Sequence, residues 1–182
     1  ELARRCLATL VKTEALTVML SRLAGAPVRL ALTMEESFLT NTQHAAILRL
    51  KTGVMNDGTL VARESRIQLD AGAYADASPL VAEKACYRAP GPYRWQHVDS
   101  RCECVLTNTA PAGPFRGFGG TQAMWASESQ VDMLARRLSI DPYDMRVKNL
   151  LPLGAPYMPG DSGIDSDMVE GLDVVAVTNP MR

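Results

Sequence analysis

The chain has 182 residues, of which 47% are hydrophobic and 21% are charged, and its net charge is −1 at pH 7. This composition is typical of one folded domain with its own core, and it argues against a disordered chain and against a basic nucleic-acid-binding protein. The longest apolar run, Ala15–Leu20, is interrupted by Thr17 and is too short to span a membrane. No secretory signal pattern opens the chain, so the sequence predicts no export and no membrane span.

The cysteines are four in number, Cys6, Cys86, Cys102 and Cys104, and their spacing suggests no disulfide framework. This favours a reducing, cytoplasmic location. Cys102 and Cys104 are separated by one residue, which in a strand puts both sulfurs on the same face. A zinc site would need two further ligands and His97 alone is nearby, so we interpret these residues as ordinary thiols.

The first third of the chain predicts two helices separated by a strand. Apolar residues at three- and four-residue spacing predict a helix from Leu2 to Ala24, which ends at Gly25. Alternation then predicts a short strand over Val28–Leu32. Thr33 and Glu36 have the spacing of a capping box, which predicts a brief helix after Thr33.

The middle of the chain predicts a β-hairpin and a further strand. Residues 44–53 and 59–69 alternate as extended segments, and Asn56-Asp57-Gly58 supplies the residues of a tight turn between them. One face of the hairpin is expected to meet water, because four basic residues alternate with apolar ones: Arg49, Lys51, Arg63 and Arg66. Val98–Thr107 predicts another strand.

The remaining signals predict helices, and together with the hairpin they indicate an α+β fold with a mixed sheet and packed helices. Ser78–Tyr87 is expected to be helical, with Ser78 as its N-cap. Thr121–Leu138 carries an apolar stripe, and Asp141 caps a helix that continues to Leu150. Beyond that point we expect a loop with at most one short helix, over Ser166–Leu172.

The segment PAGPFRGFGGTQ, residues 111–122, is the most informative part of the sequence. Its three clustered glycines, Gly117, Gly119 and Gly120, can adopt positive φ and let the backbone approach a bulky group closely. Arg116 supplies a fixed cation between two flat apolar rings. The composition therefore indicates a loop that encloses an anionic, flat group, and a simple phosphate-binding loop before a helix remains an alternative.

This segment resembles the FRGFGG loop of the molybdenum hydroxylases, the xanthine dehydrogenase and aldehyde oxidase family. Further segments resemble the large, molybdopterin-binding subunit of that family in the same order: GAPVRLALTMEESF, LKTGVMNDGTLVA, DAGAYAD, GPYRWQHV, LTNTAPAGPFRGFGG and ASESQVDMLARRLSIDPYDMRVKNLLPLG. The resemblance is strongest over residues 13–160. It implies that residues 1–182 form part of a molybdenum-cofactor-binding domain. It also implies an oxidoreductase that hydroxylates an N-heterocycle or an aldehyde with oxygen derived from water.

The resemblance also implies roles for individual residues of the loop. Arg116 would lie at the molybdenum through its main chain, and Phe115 and Gly117 would shape the same wall of the cofactor site. Phe118 would stack on a flat substrate. Lys84 stands where purine-oxidising members carry arginine, and this places purine substrates in doubt because lysine lacks the bidentate fork. From the residues alone, Arg116 is equally an ordinary loop anchor, Phe118 a core residue and Lys84 a solvated helix lysine.

Other positions depart from the family. His44 lies in Gln-His-Ala rather than Arg-His-Pro, and a structural role is favoured for it. Met34 replaces a common arginine, and residues 1–11 do not resemble the upstream glycine-rich loop. The family's catalytic base has no counterpart here, so we assign no catalytic residue within the chain.

The cofactor that the resemblance implies is molybdenum–molybdopterin, with the cytosine dinucleotide form as one option. Iron–sulfur clusters and FAD are expected on other domains or subunits. The implied partners are the remainder of the large subunit, the iron–sulfur and flavin parts and a small-molecule substrate. The chain alone is expected to be inactive. The alternative is a non-catalytic structural or degenerate fragment that only packs against partner subunits.

Overall fold

The computed structural model describes residues 13–152 and 154–160. It shows an α+β fold, as the sequence predicts. The elements in chain order are α1 (Glu14–Ala24), α2 (Met34–Thr40), β1 (Ala46–Val54), β2 (Leu60–Gly72), α3 (Ser78–Arg88), β3 (His97–Leu106), α4 (Gly120–Leu138) and α5 (Pro142–Asn149). Within the described residues, no helix combines the length and the apolar character needed to cross a membrane.

The sheet has three strands in the order β1-β2-β3. β1 and β2 form the predicted antiparallel hairpin, in which Thr52 lies opposite Arg63. The turn is held by Asp57, whose carboxylate accepts from the Thr59 amide at 3.0 Å, and by Gly58 at a φ of 85°. β3 pairs parallel to β2, with Val98 opposite Arg63. A parallel pair needs a long crossover, and α3 provides it.

The core lies between one face of the sheet and the helices α3, α4 and α5. One cluster joins the turn end of the hairpin to α4 and α5: Leu60, Tyr93, Trp95, Val131, Ala135, Met145 and Leu150. A second joins β2 to α3 and the start of α4: Ile67, Leu69, Val81, Ala82, Ala85, Ala89 and Ala123. The second cluster is rich in alanine, so the backbones of α3 and α4 pack closely together.

The segment before the sheet contains no buried residue from position 13 to 43. The predicted helix is present as α1 and ends at Gly25, which has a φ of 62°; residues 2–12 of that prediction lie outside the described part. The capping box is confirmed, since the Thr33 side chain accepts from the Glu36 amide and Glu36 accepts from the Thr33 amide. The predicted strand over Val28–Leu32 is wrong, because these residues form no strand in the structure. A strand needs a neighbouring strand for its backbone hydrogen bonds, and this segment pairs with none of the described strands.

The start of α3 differs from the sequence prediction by one residue. Ala77 is the N-cap, and Ser78 is the first helical residue. The Ser78 hydroxyl does not cap the helix, because it is fully buried and lies 2.8 Å from Nε2 of His44 and 3.4 Å from the carbonyl oxygen of Ala112. A longer-range contact therefore takes the place of the local one.

The basic residues of the hairpin also divide differently from the prediction. Arg49 and Lys51 are exposed and Arg66 is partly exposed, but Arg63 is only 2% exposed. Arg63 lies on the inner face of β2, where its guanidinium is stacked 4.8 Å from the ring centroid of Trp95. The aromatic ring replaces water as the environment of this cation.

The other predicted elements are confirmed. β3, α4 and α5 agree with their predicted ranges to within one residue at each end. Asp141 caps α5 through its carboxylate, which accepts from the amides of Tyr143 and Asp144. The helix predicted over residues 166–172 lies outside the described residues.

Candidate functional site

The loop that precedes α4 has an unusual backbone. Gly117, Phe118 and Gly119 have consecutive positive φ values of 100°, 47° and 78°. Two turns close it, because the Phe118 amide donates to the Phe115 carbonyl and the Gly120 amide to the Gly117 carbonyl, both at 2.8 Å. Glycine accepts this conformation readily, whereas a side chain at Phe118 costs on the order of 1–2 kcal/mol. Such a residue persists only where neighbouring structure holds it.

Helix α3 holds the loop from one side. A Cβ atom at Gly119 would lie 2.8 Å from the carbonyl oxygen of Val81 and 3.0 Å from Cβ of Ala85, so glycine permits direct backbone contact with the helix. Nη1 of Arg88 donates to the carbonyl oxygen of Gly117 at 2.8 Å. These three α3 residues recur at four- and three-residue spacing and therefore form one stripe.

The base of the loop is fixed by the strand ends and by His44. The Ala112 amide donates to Ala71 and the Gly113 amide to Thr42, both at 3.0 Å. His44 is buried and contacts Ser78, and burial lowers its pKa below the ordinary value of 6.5. The buried, partnered ring agrees with the structural role predicted for His44.

The start of α4 is tied to the same segment. Nε2 of Gln122 donates to the carbonyl oxygen of His44 at 3.1 Å, and Nε2 of Gln43 donates to the Thr121 hydroxyl at 3.2 Å. A small depression of about 330 Å³ lies beside these residues, between β1 and α4. The loop therefore projects from a base that is fixed on both sides.

The predicted site residues are adjacent in the loop, with Lys84 on its supporting helix. Phe115 is 59% exposed and Arg116 is exposed, whereas Gly117 and Phe118 are partly buried. Lys84 lies one helical turn before Arg88, beside the stripe that carries the loop, and its Nζ is 3.6 Å from Glu83 Oε1. The four loop residues are therefore contiguous, and Lys84 lies on the helix that supports them, where its one ion pair within the described residues is the one to Glu83.

The exposed part of the loop offers donors that are not used within the described structure. The main-chain amides of Arg116, which is exposed, and Gly117, which is partly buried, donate to no described residue. The Arg116 side chain likewise makes no hydrogen bond or ion pair with the described part of the chain. Backbone donors at the start of a 19-residue helix, together with a guanidinium, are the chemistry that binds an anion.

The cysteines lie elsewhere, on the opposite flank of α3. Cys86, Cys102 and Cys104 line a groove of about 800 Å³ between α3 and β3, and the two β3 sulfurs face the same side as predicted. Burial raises the pKa of Cys102 to about 12, so its thiol is protonated at neutral pH. Among the described residues, no group of three or more metal-ligating side chains is arranged to hold a metal ion.

Sequence reasoning missed Arg88 and Ser78 as supports of the loop. Arg88 is 29 positions from Gly117, and Ser78 is 34 positions from His44 and from Ala112. The sequence offered one indication of this role for Arg88, namely its position one helical turn after Lys84, which places the two side chains on neighbouring parts of the helix surface. Local patterns carry no other information about contacts at this separation.

Comparisons with known proteins identify a family with which this chain shares sequence and fold. The family model described as the molybdopterin cofactor-binding domain matches residues 8–150. A probable xanthine dehydrogenase subunit of Bacillus subtilis is 38% identical over 133 residues, which cover 72% of this chain and 18% of that protein. The nicotinate dehydrogenase large molybdopterin subunit of Eubacterium barkeri is 36% identical over 135 residues, which cover 74% of this chain and 32% of that subunit.

A similar fold occurs in the aldehyde oxidoreductase from Desulfovibrio gigas. The two structures superpose with a TM-score of 0.73 at 28% sequence identity, over 91% of this chain and 18% of that one. The chain thus spans between about a fifth and a third of the length of the proteins to which it is similar. The family-model match over residues 8–150 shows that this chain belongs to the family of molybdopterin cofactor-binding domains.

Proposed function

We propose that this chain forms one wall of the active site of a molybdenum-dependent hydroxylase that oxidises an N-heterocycle or an aldehyde. The observation that carries the proposal is the loop itself. Its backbone is held in a left-handed conformation at three consecutive residues, the amides of Arg116 and Gly117 and the Arg116 side chain are not used by the described residues, and two aromatic rings flank that arginine. The names of the similar proteins, which include xanthine, nicotinate and aldehyde oxidoreductases, support both substrate classes.

The donors of the loop fit the molybdenum–molybdopterin cofactor, which is anionic. In the proposal Arg116 and the adjacent amides hold the cofactor, with the main chain of Arg116 nearest the metal, and Phe115 and Gly117 shape the wall beside it. When bound, the cofactor supplies the redox centre that oxidises the substrate carbon. The protein residues bind and orient the cofactor and the substrate. The rigid base of the loop keeps the two groups in a fixed relative position.

Phe118 is the proposed face for the flat substrate. Stacking on its ring contributes on the order of 1 kcal/mol beyond the burial of area, and it fixes the plane in which the reacting carbon lies. Lys84 is the proposed contact for the polar edge of the substrate. Its single ammonium suits a carboxylate or carbonyl better than the paired acceptors of a purine.

The Lys84 proposal has its own test. Lys84→Arg restores a planar fork of donors, so it is expected to raise kcat/KM for purine-like rings relative to aldehydes by roughly tenfold, the value of one good charge-assisted hydrogen bond. Glu83→Gln is the matched control, because it removes only the carboxylate 3.6 Å from Nζ. An unchanged substrate preference in Lys84→Arg would remove Lys84 from the substrate site.

The proposal includes parts that this chain does not supply. The rest of the large subunit would complete the cofactor envelope and provide the catalytic base, and iron–sulfur and flavin parts would carry electrons away. The cytosine dinucleotide form of the cofactor is included in this proposal. The 182-residue chain alone is therefore expected to show no turnover when it is mixed with cofactor.

The test uses the complete enzyme, produced in a host that makes molybdenum cofactor. Metal analysis is expected to find molybdenum, and a dye-linked assay is expected to detect oxidation of at least one N-heterocycle or aldehyde. A complete enzyme that folds and carries no molybdenum would contradict the proposal and favour a non-catalytic role.

A further inference from the structure

Arg88 contacts the loop at the carbonyl that closes the second of its two turns. The Gly117 oxygen accepts from the Gly120 amide and from Nη1 of Arg88, each at 2.8 Å. A carbonyl oxygen has two lone pairs, and here both are used. The bond from the guanidinium is charge-assisted and is therefore the stronger of the two.

The side chain of Arg88 also packs against the first residue of α4. A Cβ atom at Gly120 would lie 2.7 Å from Nη1 and 2.8 Å from Cδ of Arg88. The arginine thus lies directly against the glycine backbone. It joins the last residue of α3 to both ends of the turn that runs from Gly117 to Gly120.

The peptide that Arg88 holds is the one that leads into Phe118. Because Phe118 has a φ of 47°, its backbone is in a region that a side chain adopts only under constraint. The direction of the ring follows from the orientation of the peptide plane between Gly117 and Phe118. Arg88 itself is exposed, so its contribution to overall stability is small and its effect is concentrated on the loop.

We propose that Arg88 is a positioning residue that sets the direction of the Phe118 ring through the carbonyl oxygen of Gly117. The consequence for catalysis rests on the proposed function, in which Phe118 orients the substrate. Arg88 does not touch the substrate in this arrangement. It controls how often the ring is in the productive orientation, and it leaves the cofactor contacts of Arg116 unchanged.

The test compares Arg88→Met with Arg94→Met in the complete enzyme. Both arginines are exposed and both donate to a main-chain oxygen, but Arg94 donates to Lys148, at 2.5 Å and away from the loop. Methionine keeps most of the aliphatic stem and removes the donor. Hydrogen exchange is measured on the peptide that covers residues 115–122, together with molybdenum content, kcat and KM.

In Arg88→Met we expect exchange of the loop amides to rise roughly tenfold, the effect of losing one charge-assisted hydrogen bond. We expect kcat/KM to fall by a similar factor while molybdenum content stays at the wild-type level. Arg88→Lys keeps one donor and is expected to lie between the wild type and Arg88→Met. Arg94→Met is expected to change none of these quantities.

Unchanged loop exchange in Arg88→Met would overturn the proposal. Faster exchange with an unchanged kcat/KM would overturn it as well, provided that Phe118→Ala is impaired in the same enzyme. Failure of the proposed function has a different signature. In that case the wild type lacks molybdenum or Phe118→Ala is fully active, and the exchange data still decide whether Arg88 holds the loop.

Discussion

At the scale of single residues, Arg63 carries a buried guanidinium on the inner face of β2. Nε, Nη1 and Nη2 of Arg63 have no hydrogen-bond partner in the described structure, and burial lowers the pKa of Arg63 to about 10. Stacking on Trp95 offsets part of the cost of removing this charge from water, but burial of a charge without hydrogen bonds is unfavourable overall.

We therefore expect Arg63→Met to stabilise the fold. Methionine fills a similar volume with no charge, and replacement of a buried ion pair or triad by apolar residues is stabilising by about 1–4 kcal/mol in other proteins, so a gain of that order is expected for this unpaired charge. Urea unfolding of the chain measures the change. Arg49→Met is the control: Arg49 is exposed on the neighbouring strand, and its replacement should alter stability by less than about 0.5 kcal/mol. A less stable Arg63→Met would show that the stacked cation contributes more than its desolvation costs.

Replacement of Arg116 and replacement of Phe118 are expected to impair the complete enzyme in different ways. Arg116→Ala should lower molybdenum occupancy, because it removes the guanidinium from the proposed anion site. Phe118→Ala should leave the metal content near the wild-type value and lower kcat/KM, because it removes only the orienting ring. Metal analysis and steady-state kinetics on both variants separate the two roles. The reverse pattern would mean that the two residues have been assigned the wrong way round.

At the scale of secondary-structure elements, Asn149 connects the hairpin to the end of α5. The side chain is 2% exposed. Its Oδ1 accepts from the Leu60 amide, and its Nδ2 donates to the carbonyl oxygens of Gly58 and Met145, all at 2.8 Å. This amide group therefore links two backbone groups of the hairpin turn to the last turn of α5.

Asn149→Ala is accordingly expected to destabilise the fold by about 1–3 kcal/mol for each backbone group left buried and unpaired. Asn56→Ala is the control, since Asn56 is exposed in the turn of the same hairpin and its replacement should have a small effect. Denaturant unfolding of both variants tests this. Equal stability of the two would mean that water replaces the Asn149 side chain without cost.

Local signals in the sequence predicted most elements because the elements are specified locally. Asn56-Asp57-Gly58 specifies the hairpin, and the spacing of Thr33 and Glu36 specifies the cap of α2. Alternation predicts which residues share a face of a strand, but not which face will be covered. For this reason the burial of Arg63 could not be predicted. Alternation also does not give the direction of a strand in the sheet, so the parallel pairing of β3 could not be predicted either.

The candidate site also has a part that the sequence predicts and a part that it does not. The glycines and aromatic residues that define the loop are contiguous, so both the sequence and its resemblance to a family indicated the loop. The residues that support it come from distant parts of the chain. Arg88, His44 and Ser78 act through tertiary contacts, and their residue types alone gave little information about these roles.

At the scale of the whole molecule, stability is expected to fall as the pH is lowered. Burial keeps the pKa of His44 below its ordinary value of 6.5, so the unfolded chain binds a proton near that pH that the folded chain does not. The pKa of Asp57 is lowered to about 2 by its hydrogen bond to Lys148, and the pKa of Asp70 is lowered by the Thr107 hydroxyl. The contributions of these carboxylates are present above their ordinary pKa and are lost at lower pH.

We expect two separable losses in the urea midpoint, one as the pH falls through about 6.5 and another below about 4. His44→Gln should remove the first loss and keep the second. The control is His97→Gln, because His97 is exposed and its replacement should leave both losses in place. A urea midpoint that does not change between about pH 7 and about pH 5 would contradict this assignment to His44.

The contacts that fix the loop join residues that are far apart along the chain, and this has a consequence for the order in which the protein can be made. Gln122 reaches back 78 positions to His44, and Asn149 reaches back 89 positions to Leu60. A ribosome adds about 5–20 residues per second, so it delivers the hairpin several seconds before the partners of both its ends. During synthesis the part of the hairpin's inner face that α4 and α5 cover is therefore exposed for that time, and the base of the loop is completed only after Gln122 has been added.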